Sequence, residues 1–570
     1  MVYRQLRRRK SPVCWQRRQP QGKCWRQQHR WQRPLRRRPL GRQLRRLLLQ
    51  RPPLKAKSPK ITSSHISRIP KYVAAVTVAA HGLVALNHGG PVAVPDVSAY
   101  LSVAQWLHGS VLSENLAFHP GYGFLLAPFG GLSGSGLHTA ALLLNAMLAG
   151  CCVVMAARLM ERHGGPQWAV IAAAVAAALH PSLSASSRIA WPETTLVVVL
   201  LGLSLLIDRD KWTVAGAIAG LSIALHPRSV VIVIAVMLVA VAERRVRRLL
   251  WGVMPALVAT GVLLQITDSW PGARLAAAQN LGDGPNPLTT LLGQWLTVAT
   301  GTAGLAAIGL VVALRALWSR SWPPSGAFLA LSALGMLILG GWVLAGSARI
   351  DTIMYGRYIG PWAVPLTVVG LAAVCRGAMN RRTMLWVLIP TAIAAVTTVA
   401  ASSQVTGKPR QIMTLSLGSV WRMFDERLVW VALAGLAITL LAVTAAQRGP
   451  LTPAALFVLI AVSSTAVNHY HLHEVGQIAD GQVTTAALVP DDIVCLAHDS
   501  STKSYAMWLY RLQLPNIDHR RVDLTTGGLP CGPYVVAGSE ALNDCPTAEL
   551  VGIEPRANWG LWRYPTQACS

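Results

Sequence analysis

The sequence predicts a mostly α-helical, polytopic membrane protein that ends in a small extracytoplasmic α/β domain. Of its 570 residues, 52% are hydrophobic and only 13% are charged, and the mean hydropathy is +0.41. Long apolar stretches recur between residues 72 and 467. A chain of this composition has too little polar surface for an ordinary water-soluble globule.

The basic character of the chain comes from residues 1–71. The formal net charge is +29, but this segment holds 23 of the 52 Lys and Arg and no acid, so the remainder carries 29 basic against 23 acidic residues, or +6. Its Gln- and Pro-rich composition predicts a disordered cytoplasmic tail. Because no pattern of base-reading residues accompanies the charges, we expect no nucleic-acid partner. The tail is either a cytoplasmic extension that fixes the orientation of the protein in the membrane, or upstream sequence that was translated from a misplaced start codon.

Residues 72–467 are predicted to form a transmembrane domain of about thirteen spans. The apolar cores are 72–88, 137–157, 168–183, 192–207, 213–225, 229–242, 250–266, 295–317, 327–347, 359–375, 383–401, 428–446 and 451–467. The fifth and sixth cores are too short to cross a hydrocarbon layer of about 30 Å comfortably, which predicts a shallow hairpin.

Lys and Arg fall on alternate connections between these cores. The basic connections carry Arg158 and Arg162, Arg209 and Lys211, Glu243 to Arg248, Arg315 and Arg320, Arg376 to Arg382, and Arg448. Basic connections favour the cytoplasm, so this side and the N-terminus are predicted to be cytoplasmic in a multi-pass cell (plasma) membrane protein. The remaining connections are then external and predict one external cavity.

Residues 468–570 are predicted to fold as the extracytoplasmic α/β domain. Apolar runs predict strands at 493–496, 534–537 and 550–553, and an apolar stripe predicts a helix at 502–514. Four cysteines lie in this compartment, where disulfides persist: Cys495, Cys531, Cys545 and Cys569. They allow three pairings, of which Cys531–Cys545 is the shortest plausible bridge.

A His-rich stretch, His469-Tyr470-His471-Leu472-His473-Glu474, follows the last span. It alternates like a strand, which would present three imidazoles on one face to a metal. The alternative is a polar interfacial exit from the span, and the lack of a distant fourth ligand favours it. We therefore expect no metal site in this stretch and no cofactor, although the sequence leaves open whether the protein requires a divalent cation.

Five short segments occur in a characteristic order. They are Pro95-Asp96-Val97-Ser98-Ala99-Tyr100; His119-Pro120-Gly121-Tyr122-Gly123-Phe124-Leu125-Leu126-Ala127-Pro128; Ala190-Trp191-Pro192-Glu193; Gly216 to Gly220 leading to His226-Pro227-Arg228; and Tyr355-Gly356-Arg357-Tyr358. The ordered set resembles the GT-C class of polyprenyl-phosphate-sugar-dependent glycosyltransferases, and is most similar to actinobacterial relatives of protein mannosyltransferases and aminoarabinose transferases. The resemblance covers about residues 72–375 and the architecture of spans followed by an external domain.

The resemblance implies a catalytic Asp in the first external loop and a sugar that arrives on a lipid phosphate from within the bilayer. Asp96, the first acidic residue of the chain, is the candidate base for the acceptor proton. Arg228 and Arg357 are candidates to hold the donor phosphate, because guanidinium groups match phosphate oxygens. The other substrate-binding candidates are Tyr100, Glu114, His119, Tyr122, Glu193, His226 and Tyr358.

Each role has a structural alternative. Asp96 could cap a helix over 97–108, Arg228 and Arg357 could reach toward lipid headgroups, and Glu193 could be a favourable charge at a helix N-terminus. His119 could be a turn residue before proline.

One position departs from the pattern of the resemblance. Many relatives follow the catalytic Asp with a second acid, whereas this chain has Val97 there; Glu114 is a possible substitute. The metal dependence and the acceptor of those relatives are therefore not carried over.

The expected function is transfer of a sugar from a polyprenyl-phosphate donor to an acceptor hydroxyl on a glycan, lipid or protein. The alternative is a multi-span transporter or lipid flippase, for which charges in the membrane are also typical. No inverted repeat is evident, and the charged candidates gather in the external connections. A non-catalytic scaffold is a third possibility.

Overall fold

The computed structural model describes residues 68–92, 94–112, 119–267, 284–319 and 323–564. The predictions for residues 1–67 of the basic tail, for Glu114 and for Cys569 lie outside these residues, whereas Arg68 to Lys71, assigned to the tail, are helical. The helices are α1 (Arg68–Leu86), α2 (Val94–Trp106), α3 (Gly121–Leu126), α4 (Gly134–Arg162), α5 (Gln167–Ala178), α6 (Pro181–Ser184), α7 (Glu193–Ile207), α8 (Trp212–Leu225), α9 (Val230–Ala242), α10 (Val246–Ile266), α11 (Pro287–Gly301), α12 (Leu305–Ser319), α13 (Pro324–Leu344), α14 (Ile350–Ile353), α15 (Gly356–Cys375), α16 (Arg381–Ala400), α17 (Gly418–Met423), α18 (Leu428–Ala445), α19 (Leu451–Asp480) and α20 (Ser504–Gln513).

The predicted fold class, a polytopic helical bundle with a small C-terminal α/β unit, is confirmed. In the described part of the chain, eight helices are long and apolar enough to cross a membrane, and two bent helix pairs raise the number to ten. The eight are α1, α4, α10, α13, α15, α16, α18 and α19, and the pairs are α5 with α6 and α11 with α12. Three shorter apolar helices, α7, α8 and α9, complete the set, and each predicted core falls on one of these units.

The predicted core 295–317 is wrong as a single straight span. α11 ends at Gly301, α12 begins at Leu305, and the chain bends by 116° between them. Ala303 and Gly304 have φ angles of 45° and 74°, and the amide of Gly304 donates to the carbonyl of Ala299. A left-handed residue with this bond ends an α-helix. The break was missed because the stretch is hydrophobic overall, and Gly301 and Gly304 do not by themselves predict the end of a helix.

α15 is the central helix of the bundle. The span that contains it, Ile350–Cys375, is 89% buried, whereas the other long spans are 28% to 56% buried. It packs against α5, α7, α12 and α13, and Gly356 and Arg357 in its first turn are buried. A side chain in its first turn therefore lies in the interior of one end of the bundle.

Five strands form the C-terminal sheet: β1 (Cys495–Asp499), β2 (Asp518–Val522), β3 (Tyr534–Gly538), β4 (Glu549–Ile553) and β5 (Trp559–Arg563). Their order is β2-β1-β3-β5-β4; β1 is parallel to β2 and β3, and β5 is antiparallel to β3 and β4. The three predicted strands and the helix α20 are confirmed. β2 and β5 were missed: the Asp-His-Arg-Arg-Val sequence of β2 has no apolar run, and the five residues of β5 include a glycine and an arginine.

The structure contradicts two possibilities that the sequence left open for the C-terminal region, a strand-like His-rich segment and a Cys531–Cys545 bridge. The segment His469–Glu474 is helical, because α19 continues to Asp480. Alternate residues of a helix point to different sides, so these imidazoles do not share one face as they would on a strand. A disulfide joins Cys495 to Cys531, across 36 residues, so Cys531 does not pair with Cys545. Loop length alone did not identify the pair. Cys495 at the start of β1 and Cys531 in the loop before β3 come together because β1 and β3 are neighbouring strands of the sheet.

The C-terminal domain docks on the end of the bundle where α2 lies. α20 packs against α2, the hydroxyl of Ser110 donates to Asn516 Oδ1 at 2.7 Å, and the amide of Val111 donates to the carbonyl of Pro515 at 3.2 Å. The buried Glu554 accepts hydrogen bonds from the amides of Thr484 and Thr485 at 2.7 and 3.0 Å, after the end of α19. The residues around α2 are therefore covered by this domain.

The connections that were predicted to be cytoplasmic contact one another near the C-terminal end of α7. Asp210 accepts ion pairs from Arg245 at 3.0 Å and Arg248 at 2.9 Å. Asp208, at the C-terminal end of α7, accepts from the hydroxyl of Ser325 at 2.8 Å. Since α7 begins at Glu193, these contacts lie one helix length away from that carboxylate.

We expect Gly252→Ala to destabilise the protein. A Cβ at Gly252 would lie 1.9 Å from the carbonyl oxygen of Thr213, because α8 and α10 are in backbone contact there. The helices must separate, at a cost of about 1–3 kcal/mol. The thermal unfolding midpoint in detergent measures it.

Gly261→Ala is the matched control, because a Cβ there has open space in the same helix. It should leave the midpoint unchanged or raise it slightly. Equal midpoints for the two variants would contradict the close packing of α8 and α10.

Candidate active site

Four charged side chains from separate segments form one network at the α2 end of the bundle. Arg357 donates from Nη1 to the carboxylate of Asp96 and from Nε to Glu193 Oε1 at 2.8 Å. Arg228 donates from Nη2 to the same Glu193 oxygen at 3.0 Å and from Nη1 to the carbonyl of Arg357 at 3.3 Å. The charges alternate along Asp96, Arg357, Glu193 and Arg228, and their formal sum is zero.

The network is buried except at Asp96. The side chains of Arg228, Glu193 and Arg357 are 3%, 3% and 5% exposed, whereas that of Asp96 is 21% exposed. Glu193 Oε2 and Arg228 Nε, both buried, have no hydrogen-bond partner within the described ranges. Buried polar atoms are normally satisfied, so these two atoms leave capacity for a polar ligand.

All four side chains lie at helix N-termini. Asp96 and Glu193 are in the first turns of α2 and α7, Arg357 is in the first turn of α15, and Arg228 lies in the 3₁₀ turn before α9. A helix N-terminus favours an anion and disfavours a cation. The two arginines therefore depend on Asp96 and Glu193, or on a bound anion, for their stability.

Aromatic rings hold the two guanidinium groups. Arg357 lies over the ring of Trp191 at 4.6 Å, and Arg228 lies over the ring of Tyr358 at 5.4 Å. Tyr355 packs edge-on against Tyr358 with ring centroids 4.7 Å apart. Cation–π contacts stabilise a charge without neutralising it. Trp191 was quoted in the sequence pattern but not among the site residues, because a span-opening tryptophan is common at a membrane interface.

Tyr100 and Tyr122 form the wall beside the network. Their rings meet edge-on at 5.7 Å, and both side chains are buried. Burial raises the pKa of the Tyr100 hydroxyl well above its ordinary value, and the charge of Glu193 raises it further, so the hydroxyl remains a hydrogen-bond donor.

Asn145 in α4 positions the segment before Glu193. It accepts from the hydroxyl of Tyr122 at 3.0 Å and donates to the carbonyls of Ser186 and Ile189, each at 3.2 Å. The sequence analysis missed it, although an asparagine inside the apolar core 137–157 was an available signal.

The two candidate histidines form local structural contacts. The Nδ1 of the buried His119 bonds to the carbonyl of Ile223, near the end of α8, and Gly121 packs against the backbone of Ala224. The Nδ1 of His226 accepts from the amide of Arg228 at 3.2 Å. These contacts fix the turn that carries Arg228.

The arrangement suits an anionic ligand more than a metal ion. Within the described residues, no group of three or more His, Cys, Asp or Glu side chains is placed to hold a metal ion. Two guanidinium groups can donate hydrogen bonds to phosphate oxygens, and a partly exposed carboxylate beside them can accept a proton.

Glu193→Gln should destabilise the protein strongly. Its Oε1 accepts from both arginines, and removing one member of a buried ion pair costs about 3–5 kcal/mol. The thermal unfolding midpoint of the purified variant measures the loss.

The control is Glu161→Gln, which breaks the partly exposed pair with Arg158 in α4. Surface pairs contribute about 0–1 kcal/mol, so its midpoint should barely move. A Glu193→Gln midpoint as high as that of the control would show that the network does not hold the site together.

Comparison with known proteins identifies the fold. No family model and no curated protein matches the chain. The crystal structure of ArnT from Cupriavidus metallidurans in the apo state matches with a TM-score of 0.52 and 16% identity, and covers 86% of this chain and 97% of its own. The structure of ArnT from the same organism bound to undecaprenyl phosphate matches with a TM-score of 0.52, 17% identity and the same coverage. The chain therefore has the fold of these two ArnT structures.

Proposed function

We propose that this protein is an integral-membrane glycosyltransferase that moves a sugar from a polyprenyl-phosphate donor to an extracytoplasmic acceptor hydroxyl. The observation that carries the proposal is the contact of Asp96 with Arg357 in a network that also holds Arg228. A base and two phosphate-binding groups are the parts that this reaction needs. The ArnT fold, seen with undecaprenyl phosphate in one structure, supports a donor of the same class.

The charge balance of the network suggests how the donor is recognised. Both arginines already have carboxylate partners, so an arriving phosphate competes with Asp96 for Arg357. Asp96 is the more exposed and has one ion-pair partner in the described chain, whereas Glu193 has two and is buried. The donor phosphate should therefore displace Asp96 and leave its carboxylate free as a base.

The reaction then proceeds as a displacement at the anomeric carbon. Asp96 accepts the acceptor hydroxyl proton, the acceptor oxygen bonds to the anomeric carbon, and the bond from that carbon to the phosphate oxygen breaks. Polyprenyl phosphate leaves with the electron pair. Arg357 and Arg228 stabilise its negative charge, which is strongest in the transition state and product.

Glu193 acts as a positioning residue in this scheme. Its Oε1 holds Arg357 and Arg228 at 2.8 and 3.0 Å, which sets the distance between the two guanidinium groups. The side chain of Glu193 is 3% exposed and that of Asp96 is 21% exposed, so an acceptor hydroxyl can reach Asp96. The acceptor proton therefore goes to Asp96.

The proposed orientation follows from the position of the charges. The basic connections lie at the other end of α7 from the network, and basic connections favour the cytoplasm. We accordingly assign residues 72–467 as the transferase domain, with the network and the domain 468–570 outside. A transporter would be expected to hold such charges at mid-membrane, whereas these lie at helix ends.

Asp96→Asn should abolish most turnover and should strengthen donor binding, because the phosphate no longer competes with a carboxylate for Arg357. The amide cannot accept the acceptor proton, and loss of a general base lowers kcat by about 10²–10⁴-fold. The measurement is release of polyprenyl phosphate by purified protein incubated with a panel of polyprenyl-phosphate sugars, alongside donor affinity.

Asp491→Asn is the matched control, because Asp491 is an exposed carboxylate in the C-terminal domain. It should retain wild-type turnover. If Asp96→Asn turned over like this control, Asp96 would not be the base; if the wild type consumed no donor but moved lipid across vesicles, the transporter alternative would replace the transferase.

A further inference from the structure

A second cationic site lies where α19 leaves the bundle, apart from the network of Asp96. The structure has an open groove there, which we term the α19 groove, lined by Tyr470, His473, Glu474, Gln477, Ile478 and Arg556. One wall is the outer face of α19 and the other is the turn between β4 and β5. The groove joins the last span to the C-terminal domain.

Arg188 lies behind the groove as a buried cation without a counterion. The residue is 8% exposed, and it donates to the carbonyl of Asn87 at 2.6 Å, to His473 Nδ1 at 3.1 Å and to His469 Nδ1 at 3.4 Å. Within the described ranges it forms no ion pair with a carboxylate, and its Nη2 makes no hydrogen bond. A buried charge is normally paired, so this guanidinium can stabilise an anion.

Arg556 supplies a second cation at the mouth of the groove. Its amide donates to the carbonyl of Gly481 at 3.1 Å, and its side chain crosses Gly481, where a Cβ would lie 2.9 Å from its Cδ. This places it at the C-terminal end of α19, yet it has no carboxylate within ion-pair distance among the described residues. His473 contacts Arg188 and also lines the groove, so it links the two cations.

An apolar stripe leads along α19 to the groove. Leu459, Val462 and Tyr470 are 65%, 48% and 73% exposed, and their spacing places them along one side of the helix. Exposed aliphatic side chains on a span face lipid chains, and an exposed tyrosine is typical of the membrane interface. The stripe and the groove together match the shape of a phospholipid, with its acyl chains along the stripe and its headgroup in the groove.

We propose that the α19 groove binds an anionic phospholipid from the bilayer, whose phosphodiester contacts Arg556 and His473 with Arg188 behind them. Its acyl chains lie along Leu459 and Val462. Glu474, on the rim, opposes the anion and limits the affinity. The site is independent of the transfer reaction proposed above.

The test measures lipid selectivity of the full-length protein in phosphatidylcholine vesicles. Spin-labelled phosphatidylglycerol is compared with spin-labelled phosphatidylcholine, and the motionally restricted fraction gives the relative association constant. Arg556→Gln should lower the selectivity for phosphatidylglycerol about five-fold, which corresponds to about 1 kcal/mol for one surface cation. Glu474→Gln should raise it, since the opposing charge is removed.

Arg520→Gln is the matched control, because Arg520 is an exposed arginine on β2 with the same charge change, outside the groove lining. It should keep wild-type selectivity. Arg188→Gln should also lower the selectivity. Because Arg188 also donates to the carbonyl of Asn87, this variant could fail to fold. In that case the variants at Arg556, Glu474 and Arg520 are sufficient for the test.

Two results would overturn the proposal. One is that the wild-type protein restricts the motion of the same fraction of both labelled lipids, or that Arg556→Gln is as selective for phosphatidylglycerol as Arg520→Gln. The other is stabilisation of lipid-depleted protein by inorganic phosphate that depends on Arg556 but comes without lipid selectivity, which would assign the groove to a soluble phosphate ligand.

Discussion

The buried guanidinium of Arg357 is the interaction on which the candidate site depends. It joins Asp96 of α2 to Glu193 of α7, and through Glu193 it fixes Arg228 before α9. Arg357 itself is held in the first turn of α15, the most buried span of the bundle. Four segments that are distant in sequence are thereby joined through one guanidinium group. The rigidity of the site depends on the ion pairs of Arg357.

A network that is already neutral constrains how any ligand enters. A phosphate must replace a protein carboxylate, and Asp96 is the partner with the greatest exposure and the smallest number of ion pairs in the described chain. Binding of the donor and release of the base thus become one event, which prevents a free carboxylate from existing beside an empty site. Trp191 and Tyr358 support the guanidinium groups through ring faces, so that the exchange of carboxylate for phosphate leaves them in place.

The sequence predicted the helical fold well because the apolar cores of a membrane protein are local signals. It also singled out Asp96, Glu193, Arg228 and Arg357, since charged residues beside apolar spans are conspicuous. It missed what depends on contacts between distant segments: the role of Asn145, the contact of Trp191 with Arg357, and the Cys495–Cys531 pairing. The break after Gly301 was missed because it consists of two left-handed residues, Ala303 and Gly304, and one glycine within a hydrophobic stretch does not by itself predict a break.

The most direct test is a structure of the protein with polyprenyl phosphate bound, in which the distances from phosphorus to the guanidinium carbons of Arg357 and Arg228 are measured. The account predicts that the phosphate lies in hydrogen-bond contact with Arg357 and next to Arg228, and that Asp96 has separated from Arg357. A phosphate bound elsewhere, with the Asp96–Arg357 pair intact, would contradict it.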